Sequence, residues 1–134
     1  MTMIPAASID LAGRRVLLVE DEYVIAMDIE DMLRALGAGE IDVTGDAAHA
    51  LAHIERTPPA FAILDLKLRN GTTEHVAAAL RARAIPFAFV TGYGDLSALP
   101  APLRDAPLVR KPIDRDQLYA AIAALRLDQA TRRY

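Results

Sequence analysis

The chain has 134 residues, the size of one domain, and 53% of them are apolar, enough to build a single core. It has no Cys, which excludes disulfides, thiolate metal sites and thiol nucleophiles and fits a reducing cytosol. A formal charge of −3 disfavours a nucleic-acid surface, the N-terminus lacks the basic-then-apolar pattern of a signal peptide, and no apolar run approaches the roughly 18 residues of a membrane helix.

Residues 1–13 read as a loose N-terminal arm, 14–127 as the domain and 128–134 as a fraying tail, with no output domain expected after it. Val16-Leu17-Leu18-Val19 is all apolar and ends in acids, the pattern of a strand buried on both faces. Ile25, Ile29, Met32 and Leu36 then recur at helical spacing, and Gly37 is the stop. Ile41 to Thr44 is a second strand, and Asp46 caps a helix that runs to about Arg56 before Pro58-Pro59. Phe61-Ala62-Ile63-Leu64 is a third strand, ending in Asp65. Asn70-Gly71 is a turn, and Thr72 or Thr73 is placed to cap a helix to about Arg83. A fourth strand covers 87–90. Pro100 and Pro102 forbid a long regular helix after it, so a short helix or turn at about 95–99 and then an extended link are expected. Leu108-Val109 is a short fifth strand. Asp114 opens the last helix with Gln117 three residues on, and Leu118, Ile122 and Leu125 form its buried stripe.

Short apolar strands alternating with amphipathic helices predict an open, doubly wound α/β domain, a five-stranded parallel sheet with helices on both faces and an atypical fourth helix. Ligands bind such sheets at the carboxyl ends of the strands. Those ends carry Glu20-Asp21-Glu22, Asp65, Thr91 and Lys111. Clustered carboxylates call for a cation, and Mg²⁺ with oxygen ligands meets that need. Metal, ammonium and hydroxyl together suit a phosphoryl group, and a carboxylate at the centre, Asp65, can act as the covalent nucleophile.

The motifs VLLVEDE, ILDLKL, VTG and VRKP, in this order and spacing, resemble the receiver domain of two-component response regulators, over about Arg14 to Leu127. The resemblance implies a receiver (flavodoxin-like) fold and a phosphoacceptor at Asp65. It implies direct Mg²⁺ binding by Asp21, a neighbouring role through water for Glu20, and a metal contact from the Lys67 backbone carbonyl. Thr91 matches the switch hydroxyl, beside Gly92 with its backbone N–H. Lys111 matches the lysine that pairs with phosphoryl oxygen, and Lys111-Pro112 a peptide bond that is usually cis. A histidine kinase is the implied donor, and a histidine phosphotransfer protein or another signalling protein an implied partner, in the cytoplasm. No nucleic-acid or membrane partner is expected. The protein is thus expected to be a phosphoacceptor rather than an enzyme with its own substrate.

The chain departs from the common pattern at Leu108, where receivers usually carry an aromatic residue that moves with the switch threonine. PFAFVTGYG resembles instead a subgroup named for a Phe-Ala-Thr-Gly-hydrophobic-Tyr signature, often single-domain regulators of bacterial stress signalling. Here Val90 replaces the Ala and Tyr93 follows Gly92 directly. Three readings of Tyr93 stay open: a substitute switch aromatic, a lid over the acyl phosphate, or a ring packed on the loop.

Other readings of the whole chain are weaker. An aspartate-nucleophile phosphatase needs an acid two residues after its nucleophile, where Lys67 stands, and a flavodoxin-like cofactor binder would not place Glu20-Asp21-Glu22 at its phosphate loop. The runner-up is a receiver that works as a docking module without phosphorylation. His49 and His53 share a helix face but lack a third ligand and read as exposed. His75 has no evident partner, Arg132-Arg133 reads as a solvated end, and Met27 and Met32 read as core packing.

Overall fold

The computed structural model describes residues 9–92 and 99–127. In chain order the elements are β1 (Val16–Val19), α1 (Tyr23–Ala35), β2 (Ile41–Thr44), α2 (Ala47–Arg56), β3 (Phe61–Asp65), β4 (Lys67–Leu68), β5 (Gly71–Thr72), α3 (Glu74–Ala82), β6 (Phe87–Thr91), a 3₁₀ turn (Ala101–Leu103), β7 (Leu108–Arg110) and α4 (Arg115–Ala124). Five strands form one parallel sheet in the order β2-β1-β3-β6-β7, and β4 pairs with β5 as a separate antiparallel hairpin.

Strand side chains alternate between the two faces. Val16, Leu18, Phe61, Ile63, Ala88, Val90 and Val109 face one way and bury Ile29 and Leu33 of α1 and Leu118 and Ile122 of α4. Leu17, Val19, Ala62, Leu64, Phe87 and Phe89 face the other and bury Ala50 and Ile54 of α2 and Val76 and Leu80 of α3. The expected doubly wound architecture is therefore present, with a core on each side of the sheet.

The helix ends follow local chemistry. The Asp46 carboxylate accepts from the backbone N–H groups of Ala48 and His49, and Asp114 accepts from that of Gln117. Gly37, at φ +95°, follows the C-cap Leu36 and ends α1.

Several expectations change. The arm is not loose throughout, because Leu11 is fully buried and its N–H donates to the Leu36 carbonyl at 2.8 Å. The turn expected at Asn70-Gly71 is a two-residue loop, Arg69-Asn70, closing the β4–β5 hairpin. Thr73 stands at the N-cap of α3 without a side-chain cap bond, since its hydroxyl turns inward. The extended link expected after residue 99 is interrupted by the 3₁₀ turn at Ala101–Leu103, which tolerates proline in its first positions because those N–H groups need no partner. Met27 is 44% exposed rather than in the core. His53 is half-buried, not exposed. Its Nε2 sits 2.9 Å from Asp42 Oδ2, out of line for a hydrogen bond, and Arg15 Nη1 reaches the same oxygen at 2.9 Å. The segment expected at 95–99 lies, but for Leu99, outside the described residues.

Candidate functional site

From β1 the chain crosses to β2 on one side, and β3 lies on the other, so the strand order reverses between β1 and β3. A crevice opens there at the carboxyl ends. Asp65 is the last residue of β3 and Thr91 the last of β6, while Glu20 follows β1 and Lys111 follows β7. Backbone bonds fix these ends: Glu20 N–H donates to Thr44 O at 2.9 Å and Lys111 N–H to Thr91 O at 2.8 Å. Glu20, Asp65 and Thr91 are each only 3% exposed. The fold thus brings the strand-end residues named from the sequence onto one rim.

The Lys111 ammonium sits among three carboxylates. Its Nζ donates to Glu22 Oε1 at 3.0 Å, to Asp65 Oδ2 at 3.1 Å and to Glu20 Oε2 at 3.4 Å. Burial by itself would lower the pKa of Lys111, but the hydrogen bonds to Glu22 and Asp65 and the charges of Asp65 and Glu20 together push it up. Glu20 is pushed up to about 7, first by burial and then by the neighbouring Asp65, against the lowering effect of the Glu22 N–H and of Lys111. That N–H donates to Glu20 Oε2 at 3.0 Å.

Glu20, Asp21 and Asp65 each offer an oxygen within 4.8 Å of the others. Glu20 Oε1 is buried and has no hydrogen-bond partner, although Lys111 Nζ lies 3.2 Å away as an ion pair. A buried carboxylate oxygen without a hydrogen bond, within a group of hard anionic donors, fits a cation such as Mg²⁺. Lys67 N–H lies 3.4 Å from Asp65 Oδ1, so the Lys67 backbone passes beside the same carboxylate.

The remaining residues differ in what the structure says of them. The Lys111-Pro112 peptide is cis, as the resemblance implied. Leu108 begins β7 opposite Phe89 and packs on the α2–α3 side of the sheet, an aliphatic residue in an aliphatic and aromatic core. A Cβ at Gly92 would lie 3.8 Å from Lys111 Cδ, an ordinary contact, so glycine is not needed there for space on that side. Tyr93 lies outside the described residues.

Four contributors were given no role of their own in the site by the sequence. Glu22 holds Lys111. The Arg69 N–H donates to Asp21 Oδ2 at 2.8 Å, tying the β4–β5 hairpin to the end of β1. The Thr73 hydroxyl donates to the Asp65 carbonyl at 2.8 Å. A Cβ at Gly45 would meet Cα and Cβ of Asp21 at 3.0 Å, so a side chain there would press on the loop that carries Asp21. Only Glu22 had a visible signal, its place in the acidic run after β1.

Residues 16–123 match the family described as response regulator receiver domain. Among solved structures, SdrG from Sphingomonas melonis Fr1 is 42% identical, with a TM-score of 0.74 over 85% of this chain and 97% of that one. PhyR from Brucella abortus is 30% identical, with a TM-score of 0.76 over 95% of this chain and 53% of that one. The acid tolerance regulatory protein ActR of Rhizobium meliloti is 28% identical over 87% of this chain and 63% of its own length. The chain thus spans between half and two thirds of ActR and PhyR. Among the described residues, no helix is long and apolar enough to cross a membrane.

Proposed function

This chain belongs to the response regulator receiver domain family, and from that premise we propose that it is a phosphorylation switch with Asp65 as its acceptor. A carboxylate oxygen of Asp65 attacks the phosphorus of a phosphohistidine on a partner histidine kinase. The P–N bond breaks, the imidazole leaves and takes up a proton, and an acyl phosphate forms on Asp65. Glu20, Asp21 and Asp65, with the Lys67 carbonyl, would hold Mg²⁺, which supplies positive charge to the equatorial phosphoryl oxygens. Lys111 pairs with a phosphoryl oxygen, and Thr91 with the Gly92 N–H receives another. Later hydrolysis returns phosphate and the free carboxylate.

The observation that carries this reading is the buried Asp65 carboxylate, 3.1 Å from Lys111 Nζ and grouped with Glu20 and Asp21. The likeness to SdrG, which has been solved in a BeF3-activated conformation, supports it. The same likeness, covering 97% of that chain, together with the PFAFVTGYG stretch, supports a single-domain regulator of the Phe-Ala-Thr-Gly-hydrophobic-Tyr subgroup. In this reading residues 14–127 are the working receiver, flanked by 1–13 and 128–134. PhyR, described as a stress response regulator, supports a role in stress signalling. The reading implies a cytoplasmic protein. Its phosphoryl group is read out by a signalling partner, passed to a histidine phosphotransfer protein, or drained as a sink.

Incubation with Mg²⁺ and acetyl phosphate, followed by intact mass, tests it. A phosphate-sized gain that is lost in Asp65→Ala is expected. No gain, together with no binding of beryllofluoride, would instead favour a docking module that works without phosphorylation.

A further inference from the structure

An ammonium has three N–H donors. In Lys111 all three are engaged, by Glu20, Glu22 and Asp65, at 3.4, 3.0 and 3.1 Å. A phosphoryl oxygen can therefore gain Lys111 only if one carboxylate lets go. The three are not equivalent. Glu20 and Asp65 are buried and belong to the group that can hold a metal ion, so a bound cation replaces the charge they take from Lys111. Glu22 is outside that group and its side chain is 53% exposed, so water can solvate it on release. It also makes the shortest of the three contacts. It stands at the N-cap of α1 without a side-chain cap bond, so no bond to its own helix opposes its reach toward Lys111.

We propose that Glu22 is a positioning residue that competes with the phosphoryl group for Lys111, and so sets how tightly the phosphorylated state is held. This rests on the phosphorylation reading given above. When Asp65 is free, Glu22 keeps the ammonium at the mouth of the crevice. When Asp65 is loaded and the cation holds Glu20, two of the three N–H groups are freed, and Glu22, on the third, still draws the ammonium toward the mouth of the crevice and away from the phosphoryl oxygens. Removing the Glu22 charge removes the competitor and favours the loaded state. The exposure of Glu22 keeps the effect moderate, since exposed ion pairs shift equilibria by only a few-fold.

The test uses the full chain in saturating Mg²⁺, titrated with beryllofluoride and followed by calorimetry. Glu22→Gln should bind beryllofluoride about two- to fivefold more tightly than the parent protein. Asp28→Asn removes one negative charge from the exposed face of the same helix, and should leave the affinity unchanged. Equal or weaker binding by Glu22→Gln overturns the proposal, as does an equal gain in Asp28→Asn, which would make the effect one of net charge. If the parent protein itself does not bind beryllofluoride, the phosphorylation reading falls and this inference with it. An unchanged Glu22→Gln beside a binding parent overturns this inference alone.

Discussion

The hydroxyl of Thr73, a residue with no exposed surface, donates to the backbone carbonyl of Asp65 at 2.8 Å. The two are eight residues apart, at the opposite ends of the segment that carries the β4–β5 hairpin. The Thr73 N–H also donates to Leu66 O at 3.2 Å, so both ends of this loop are closed on themselves. The bond joins the start of α3 to the residue read as the acceptor. It trades the helix cap expected of this threonine for control of the acceptor's backbone.

Thr73→Val keeps the shape of the side chain and removes the donor. It is expected to lower stability by about 1–3 kcal/mol, the range for breaking a buried hydrogen bond. It should also slow phosphorylation by acetyl phosphate, because the acceptor loses a fixed point. Thr73→Ser should recover most of both. Urea unfolding and the rate of mass gain measure the two effects. A Val variant equal to the parent in both would show that the bond contributes nothing.

The sheet was legible because its three central strands, β1, β3 and β6, are short apolar runs, as strands of a parallel sheet covered on both faces must be. The helix caps at Asp46 and Asp114 and the stop at Gly37 were legible because each acts within three residues along the chain. Strand-end placement was enough to collect Glu20, Asp21, Asp65, Thr91 and Lys111 onto one rim. What was not legible depends on contacts between distant segments. Gly45 looks like any loop glycine until the loop after β2 is laid against Asp21. The inward turn of Thr73 competes with a capping role that local rules favour. The hairpin has two residues per strand, too few to show an alternating pattern. His53 looked solvated because its partner, Asp42, sits on another element.

Lys111→Ala leaves Glu20 and Asp65 buried without their counter-charge. It should lower stability at pH 8 by about 2–4 kcal/mol, as expected when one partner of a largely buried ion pair is removed. At pH 5 the loss should be smaller, because Glu20 then carries a proton and one of the repulsions is gone. Denaturant unfolding at the two pH values checks this. An equal loss at both would mean that Lys111 contributes through packing of its stem rather than through charge.

Metal-free stability should depend on pH through Glu20. Its folded pKa, about 7, lies above its ordinary value of 4.5. Between these values the folded protein holds a proton that the unfolded chain has released, so stability falls as pH rises through this window and levels off above it. In EDTA, Tm should drop from pH 5 to pH 7.5. In Glu20→Gln the drop should be smaller, since the other groups titrating in this range are common to both proteins. Saturating Mg²⁺ should restore Tm most at the high end, where the carboxylate is free to bind. An identical pH slope in the parent and Glu20→Gln would refute the assignment.

Gly45→Ala probes the same cation site from the opposite side. The added Cβ would lie 3.0 Å from Cα and Cβ of Asp21, and one of these is backbone, which cannot swing aside as a flexible side chain would. Asp21 is also held by the Arg69 N–H at 2.8 Å, so the loop cannot retreat without loosening the hairpin. The substitution should therefore cost about 1–3 kcal/mol of stability, as overpacking does. If Asp21 is a metal ligand, Mg²⁺ affinity should also fall several-fold, because hard-cation sites depend on ligand position. Calorimetric titration of Mg²⁺ into the folded variant separates the two effects. A destabilised variant with unchanged Mg²⁺ affinity would place Asp21 outside the coordination shell and leave the metal to Glu20 and Asp65.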